Sequence, residues 1–255
     1  MIANFIERCG CLARHRAGMN STWIVLAAAL AMGAGTGDVR SQTINWGTPM
    51  FSDIVDSKGN VLSNSYVFEL GAFANGFTPQ ESNIEDWISN WKTFSIGNYN
   101  GIENPVDDGI SGYVTSVAQM LPDGSSQEMP PEEAFDFQNL NAFLWIRNWD
   151  APVPGAEWLL TRADNWVFPV ADPDCGCLEL PFEWSTSDLT ALNVPLWGSQ
   201  NGYAGQEGTA GPGEFTVTGP YTLQTFTFVP EPSAAMLVGL GVAAVALRRR
   251  RTNCR

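Results

Sequence analysis

The chain has 255 residues and a formal net charge of −14, from 27 acidic and 13 basic side chains. An excess of that sign repels phosphate backbones and anionic lipid, which argues against a nucleic-acid partner. With 44% hydrophobic and 11% aromatic residues, there is ample material for a buried core.

Residues 1–20 carry Arg8, Arg14 and Arg16 against a single acid, Glu7, and the apolar run WIVLAAALAM follows at 23–32. A basic flank, a short apolar core and a small-residue exit read as a secretory signal peptide over 1–41. Such a run is too short for a bilayer span, which needs roughly 20 residues. Val39 and Ser41 suit cleavage after Ser41; a cut after Gly37 is the alternative, and Met19 is an alternative start. The expected body, 42–229, keeps only Lys58, Lys92, Arg147 and Arg162 against 24 acids, a net charge of about −20. The single histidine, His15, leaves with the signal peptide. The body then has no imidazole for Ser-His-Asp or Cys-His catalysis or for a metal site. Cys9 and Cys11 leave too, and Cys254 lies at the far end, so Cys175 and Cys177 in DPDCGC remain. In an oxidising compartment a local Cys175–Cys177 disulfide is the favoured expectation, with pairing between chains or two free thiols as alternatives.

Along the body, DSKGN (56–60) reads as a turn with Gly59 suited to positive φ. YVFEL (66–70) is rich in strand formers. Thr78-Pro79-Gln80-Glu81 fits a capping box with proline at the first helical position. Ile84, Trp87, Ile88 and Trp91 then form one apolar stripe, predicting an amphipathic helix that packs on a sheet. GYVTSVAQM (112–120) alternates as a strand, and AFLWIR (142–147) is continuously apolar, as a central strand would be. Residues 122–133 read as an acidic, proline-rich loop, FDFQNL (135–140) as a second helical turn, and 198–213 as a flexible glycine-rich loop. EFTVT (214–218), Gly219-Pro220 and YTLQTFTF (221–228) predict a hairpin, with Tyr221, Leu223, Thr225 and Thr227 on one face and Thr222, Gln224, Phe226 and Phe228 on the other. Many short strands with one short helix point to an all-β fold: a single antiparallel β-sandwich, jelly-roll-like, over 42–229.

The body offers little recognisable chemistry. No P-loop or dinucleotide fingerprint appears. Ser89-Asn90-Trp91-Lys92 matches Ser-x-x-Lys without the motifs that accompany it in serine penicillin-binding enzymes. No catalytic, cofactor or metal residue is nominated. Calcium is the one candidate ion, because Asp56–Asn60, Asp107-Asp108-Gly109 and Asp172-Pro173-Asp174 put oxygen ligands on turns, although Asp and Asn favour turns anyway. Nine tryptophans remain in the body. Trp145 and Trp184 sit in core-like contexts, while Trp149, Trp166 and Trp197 neighbour turns and are the candidates for exposure to a sugar ring.

At the C-terminus, Pro230-Glu231-Pro232 precedes fifteen apolar or small residues, Ser233–Leu247, and then Arg248, Arg249, Arg250 and Arg251. As a helix this stretch is roughly 22 Å long, a marginal membrane span. The arginines would stay on the cytoplasmic side. This three-part order over 230–255 resembles a PEP-CTERM sorting signal. The resemblance implies export through the secretory translocon, a transient inner-membrane anchor, recognition and cutting by an exosortase, and delivery to the cell surface or extracellular matrix. Membrane contact is expected only through the C-terminal helix before that cut. The leading expectation is a non-enzymatic surface protein. A β-sandwich module that binds exopolysaccharide comes second, and a carboxylate-based glycoside hydrolase third.

Overall fold

Charged and apolar residues share the central strands, and the period of two decides where each goes. The computed structural model describes residues 41–101, 112–170, 181–201, 208–214, 219 and 221–228. All of them belong to the unit running from Arg40 to Arg255. The strands are β1 (Gln42–Gly47), β2 (Asp53–Val55), β3 (Val67–Phe73), β4 (Trp91–Ile96), β5 (Asn98–Gly101), β6 (Gly112–Met120) and β7 (Phe143–Arg147). After them come β8 (Glu157–Thr161), β9 (Phe182–Ser185), β10 (Ser199–Asn201), β11 (Gly208–Ala210), β12 (Thr222–Gln224) and β13 (Phe226–Thr227).

They form three sheets, ordered β13-β8-β7-β3-β4, β5-β6-β1-β9 and β11-β10-β12-β2. Pairing is antiparallel except for β1 with β9 and β12 with β2, which are parallel. The five-stranded sheet is buried on both faces. On one, Phe68, Leu70, Leu144, Ile146 and Leu159 meet Ile44, Val114 and Met120 of the β5-β6-β1-β9 sheet, making a sandwich-like core. On the other, Phe73, Trp91, Trp145, Trp158 and Phe226 form a second, tryptophan-rich core. β7 lies in the middle of this sheet, as its unbroken apolar sequence predicts. Between β3 and β4 the register shifts at Leu70/Gly71, leaving Phe94 as the extra residue. Phe94 packs on Phe137 and Phe168, while its neighbour Ser95 accepts a hydrogen bond from Trp46 Nε1 (3.0 Å). A bulge of this kind puts two adjacent side chains on one face.

Several local expectations are corrected. The amphipathic helix starts two residues later than its capping signal suggests. Gln80 is the N-cap and pairs reciprocally with Asn83, and a 3-10 turn (Glu81–Asp86) runs into a single α turn, α1 (Trp87–Asn90). Ile84, Trp87 and Ile88 nonetheless pack on the second core as expected, and Trp91 joins them there from the strand β4 and not from the helix. Residues 135–140 form no helical turn; Asn139 instead takes a positive φ of 60°. The glycine-rich segment is not merely a loop, because β10 and β11 pair within it. The first arm of the expected hairpin falls largely on residues 215–218; in the second arm, β10 and β2 occupy both edges of β12. Residues 222–228 divide between two sheets, although their faces split as predicted, with Leu223 in the first core and Phe226 and Phe228 in the second. Residues 215–218 lie outside the described residues.

Candidate functional site

Three polar features are built into the β-sheets. The first is an ion pair on the tryptophan-rich face. Glu69 on β3 and Arg147 on β7 approach through Nη1–Oε2 (2.5 Å) and Nη2–Oε1 (3.1 Å), with side chains 7% and 10% exposed. Trp91 Nε1 (2.7 Å) and Thr93 Oγ1 (3.3 Å) also donate to Glu69 Oε2. The guanidinium lies 4.6 Å from the centroid of Trp145 and its Nε donates to Asp150 (2.9 Å). Burial alone would lower the affinity of Arg147 for its proton, but the hydrogen bonds and charges of Glu69 and Asp150 more than reverse this and raise it.

The second feature is a knot around Glu157 at the start of β8. Its carboxylate accepts from Ser57 N (2.9 Å), Ser57 Oγ (2.5 Å), Thr225 Oγ1 (2.6 Å) and Thr227 Oγ1 (2.9 Å). Burial, then the charges of Glu157 and Asp56, push the Tyr66 phenol well above its ordinary range, outweighing an opposing hydrogen bond with Thr225. Both carboxylates are thus surrounded by structural donors.

The third is a cleft of about 380 Å³ between the 74–79 segment, the start of β7, the end of β8 and the 194–196 segment. Such a volume is at the lower end of small-molecule sites, roughly 300–1,000 Å³. Its lining includes Phe73, Phe77 and Phe143 together with Asn75, Asn141 and Arg162. Arg162 donates to Asn141 Oδ1 (3.1 Å) and lies 5.6 Å from the ring centroid of Phe143. No carboxylate is among the lining residues, and Arg162 makes no ion pair among the described residues. On a strongly acidic body this is a locally cationic, partly aromatic recess. A second cleft of about 300 Å³ holds Lys92, Glu132 and Glu133. Its two carboxylates are chain neighbours from one 3-10 turn, Pro131–Glu133, so they do not come from opposite walls.

The candidate calcium turn at 56–60 uses its own donors: Asp56 accepts from Lys58 N, Asn60 N and Asn60 Nδ2. Gly59 has the positive φ (84°) expected of it. Asp107-Asp108-Gly109, Asp172-Pro173-Asp174, Cys175 and Cys177 lie outside the described residues. So do Pro230, Glu231, Pro232 and Arg248 to Arg251. Ser89 and Lys92 do not share a helix: α1 ends at Asn90, and Lys92 pairs with Ala72 in the sheet. Ser89 Oγ donates to the Asp86 carbonyl (2.9 Å).

Tryptophan exposure is narrower than expected. Trp149 is 59% exposed, but Trp166 and Trp197 are buried. Trp166 donates to Asp188 and stacks on Trp184, and Trp197 donates to the Phe226 carbonyl. A turn in the sequence does not expose an indole that a distant segment covers. Trp145 and Trp184 are core residues, as their contexts predict. The cleft was missed for a similar reason, since its walls come from four separate segments. Glu69 and Arg147 did carry a signal, each being a charge inside an apolar strand.

The described residues thus define an all-β domain with two cores, its last strand handing the chain on to the C-terminal segment. That segment is specific. A family model described as a PEP-CTERM protein-sorting motif matches residues 228–251, beginning at the last described residue, Phe228. The chain carries this motif, which supports export, processing by an exosortase and sorting toward the cell surface. No curated protein and no solved structure matches the chain. Among the described residues no helix is long and apolar enough to cross a membrane.

Proposed function

We propose that this is a non-enzymatic protein of the cell surface or extracellular matrix. In this reading it is held briefly in the inner membrane by residues 233–247 and released when an exosortase cuts near Pro230-Glu231-Pro232. The observation that carries it is the sorting motif at 228–251, directly following a folded body. The committed state of the polar groups supports a structural role for the body. Glu69 and Glu157 are filled by donors from the fold, and the second cleft lacks carboxylates on facing walls. Intact mass of the protein from native cells and from medium tests the reading. A species beginning near Gln42 and ending near Pro230 is expected; one that retains the arginines would mean a permanent anchor.

Exopolysaccharide binding is a second reading, favoured by the aromatic and cationic cleft. Phe77 would stack on a sugar ring, and Asn75, Asn141 and Arg162 would donate hydrogen bonds to its oxygens. Co-sedimentation with the polysaccharide of the native host should weaken in Phe77→Ala and Arg162→Ala. Unchanged binding in both variants would remove the cleft from consideration.

A further inference from the structure

The way the chain leaves the folded body points to a membrane-facing surface. β13 runs antiparallel to β8, with Phe226 opposite Trp158 and Thr227 opposite Glu157. Phe228 continues the pairing by donating its N–H to the Ala156 carbonyl (2.6 Å), and its ring packs on Trp158 and Trp197. The chain therefore exits toward the connection between β7 and β8. That connection carries Trp149, the exposed indole, and Val153, which is 37% exposed. It is one side chain away from Phe228, because Trp158 Nε1 donates to the Trp149 carbonyl (3.0 Å). Ser233, the first residue of the apolar stretch, lies five residues beyond Phe228. Fully extended, those residues span at most roughly 18 Å. With residues 233–247 in the bilayer, as proposed above, the folded body would be tethered close to it by this end, with no long linker between.

We propose that Trp149, supported by Val153, inserts into the lipid headgroup layer while the tail is in the membrane, orienting the body over the site of cutting. An indole suits that layer, since its ring is apolar and its N–H polar, and tryptophan is enriched at membrane interfaces for this reason. Eight of the nine body tryptophans are buried, so this exposed one, beside the chain exit, is set apart by position. The proposal rests on the anchoring role given to residues 233–247 above.

The test reconstitutes the full chain in phosphatidylcholine vesicles, isolates them by flotation, and maps oxidation after a hydroxyl-radical pulse by peptide mass spectrometry. Phe51 is the internal reference. It is 56% exposed against 59% for Trp149, and it contacts Tyr221 at the opposite end of the β12–β13 segment, up to about 23 Å of extended chain from Phe228. An indole reacts at least as readily as a phenyl ring, so an undocked Trp149 would oxidise as much as Phe51 or more. Docking predicts several-fold less oxidation at Trp149 than at Phe51. Flotation without that protection overturns the docking alone. Failure to float overturns the anchor and the docking together. Protection that appears only in native membranes containing the exosortase overturns lipid insertion and assigns the loop to the enzyme.

Discussion

Arg147→Met would leave the Glu69 carboxylate inside the tryptophan-rich core with only Trp91 and Thr93 as donors. Glu69 would lose both guanidinium contacts at a site only 7% exposed, where water cannot replace them. Breaking a buried pair from one side costs about 3–5 kcal/mol, because the remaining charge keeps its desolvation penalty without its partner. The same arginine also contacts Asp150, but that carboxylate is 79% exposed, so Asp150→Asn should cost less than about 1 kcal/mol. Removing both buried charges, as Glu69→Leu with Arg147→Met, leaves neither ion unpaired and should recover much of the loss. Urea unfolding followed by tryptophan fluorescence reads all three variants against the parent chain, with an unchanged m-value as the check on two-state behaviour. The reasoning fails if Arg147→Met costs less than about 1 kcal/mol, or if the double variant is less stable than the single one.

Phe228→Ala removes the last ring of the second core and should cost about 3 kcal/mol, the low end for a buried aromatic at a sheet edge. Limited proteolysis should then cut the 225–228 segment faster than in the parent chain. Gly198 has a φ of 86°, and a methyl group there would meet Leu159 Cδ1 at 2.6 Å and the Gln224 carbonyl oxygen at 2.7 Å. Gly198→Ala should therefore lower stability by more than about 1 kcal/mol in the same urea experiment. The raised Tyr66 pKa gives an alkaline effect. The unfolded phenol loses its proton near pH 10 while the folded one keeps it, so the folded state holds more protons above that pH and stability falls as pH rises. Melting temperature measured from pH 8 to above 10 should fall less steeply in Tyr66→Phe than in the parent.

Where a signal is local, the sequence was readable. β6 spans the predicted 112–120, and Ile84, Trp87 and Ile88 pack where their spacing sends them. Both depend only on neighbours a few residues apart. Residues 222–228 show the opposite case. Their alternation predicted the two faces, but nothing within them says that β12 joins β2 and β10 while β13 joins β8. Strand formation within the glycine-rich segment was hidden for the same reason, as β10 is held by remote β12 as well as by nearby β11. Glu69 and Arg147 announce themselves as charges in apolar strands, yet only the sheet register makes them partners. The cleft follows none of these local patterns, because Phe77, Asn141 and Arg162 converge only after the sheets assemble.

On the export route proposed above, the parallel pairing of β12 with β2 would set an order of events. Strand 53–55 finds its sheet partner only when residues 222–224 arrive, and Ser57 waits for Thr227, 170 positions further on. A chain threaded N-terminus first through a narrow channel cannot close these sheets while most of the body is still emerging. On that route the final strand would cross immediately before the apolar stretch, so completion of the fold and the proposed arrest of residues 233–247 in the bilayer would become nearly one event. The exosortase would then receive a substrate whose body has only just become able to finish folding.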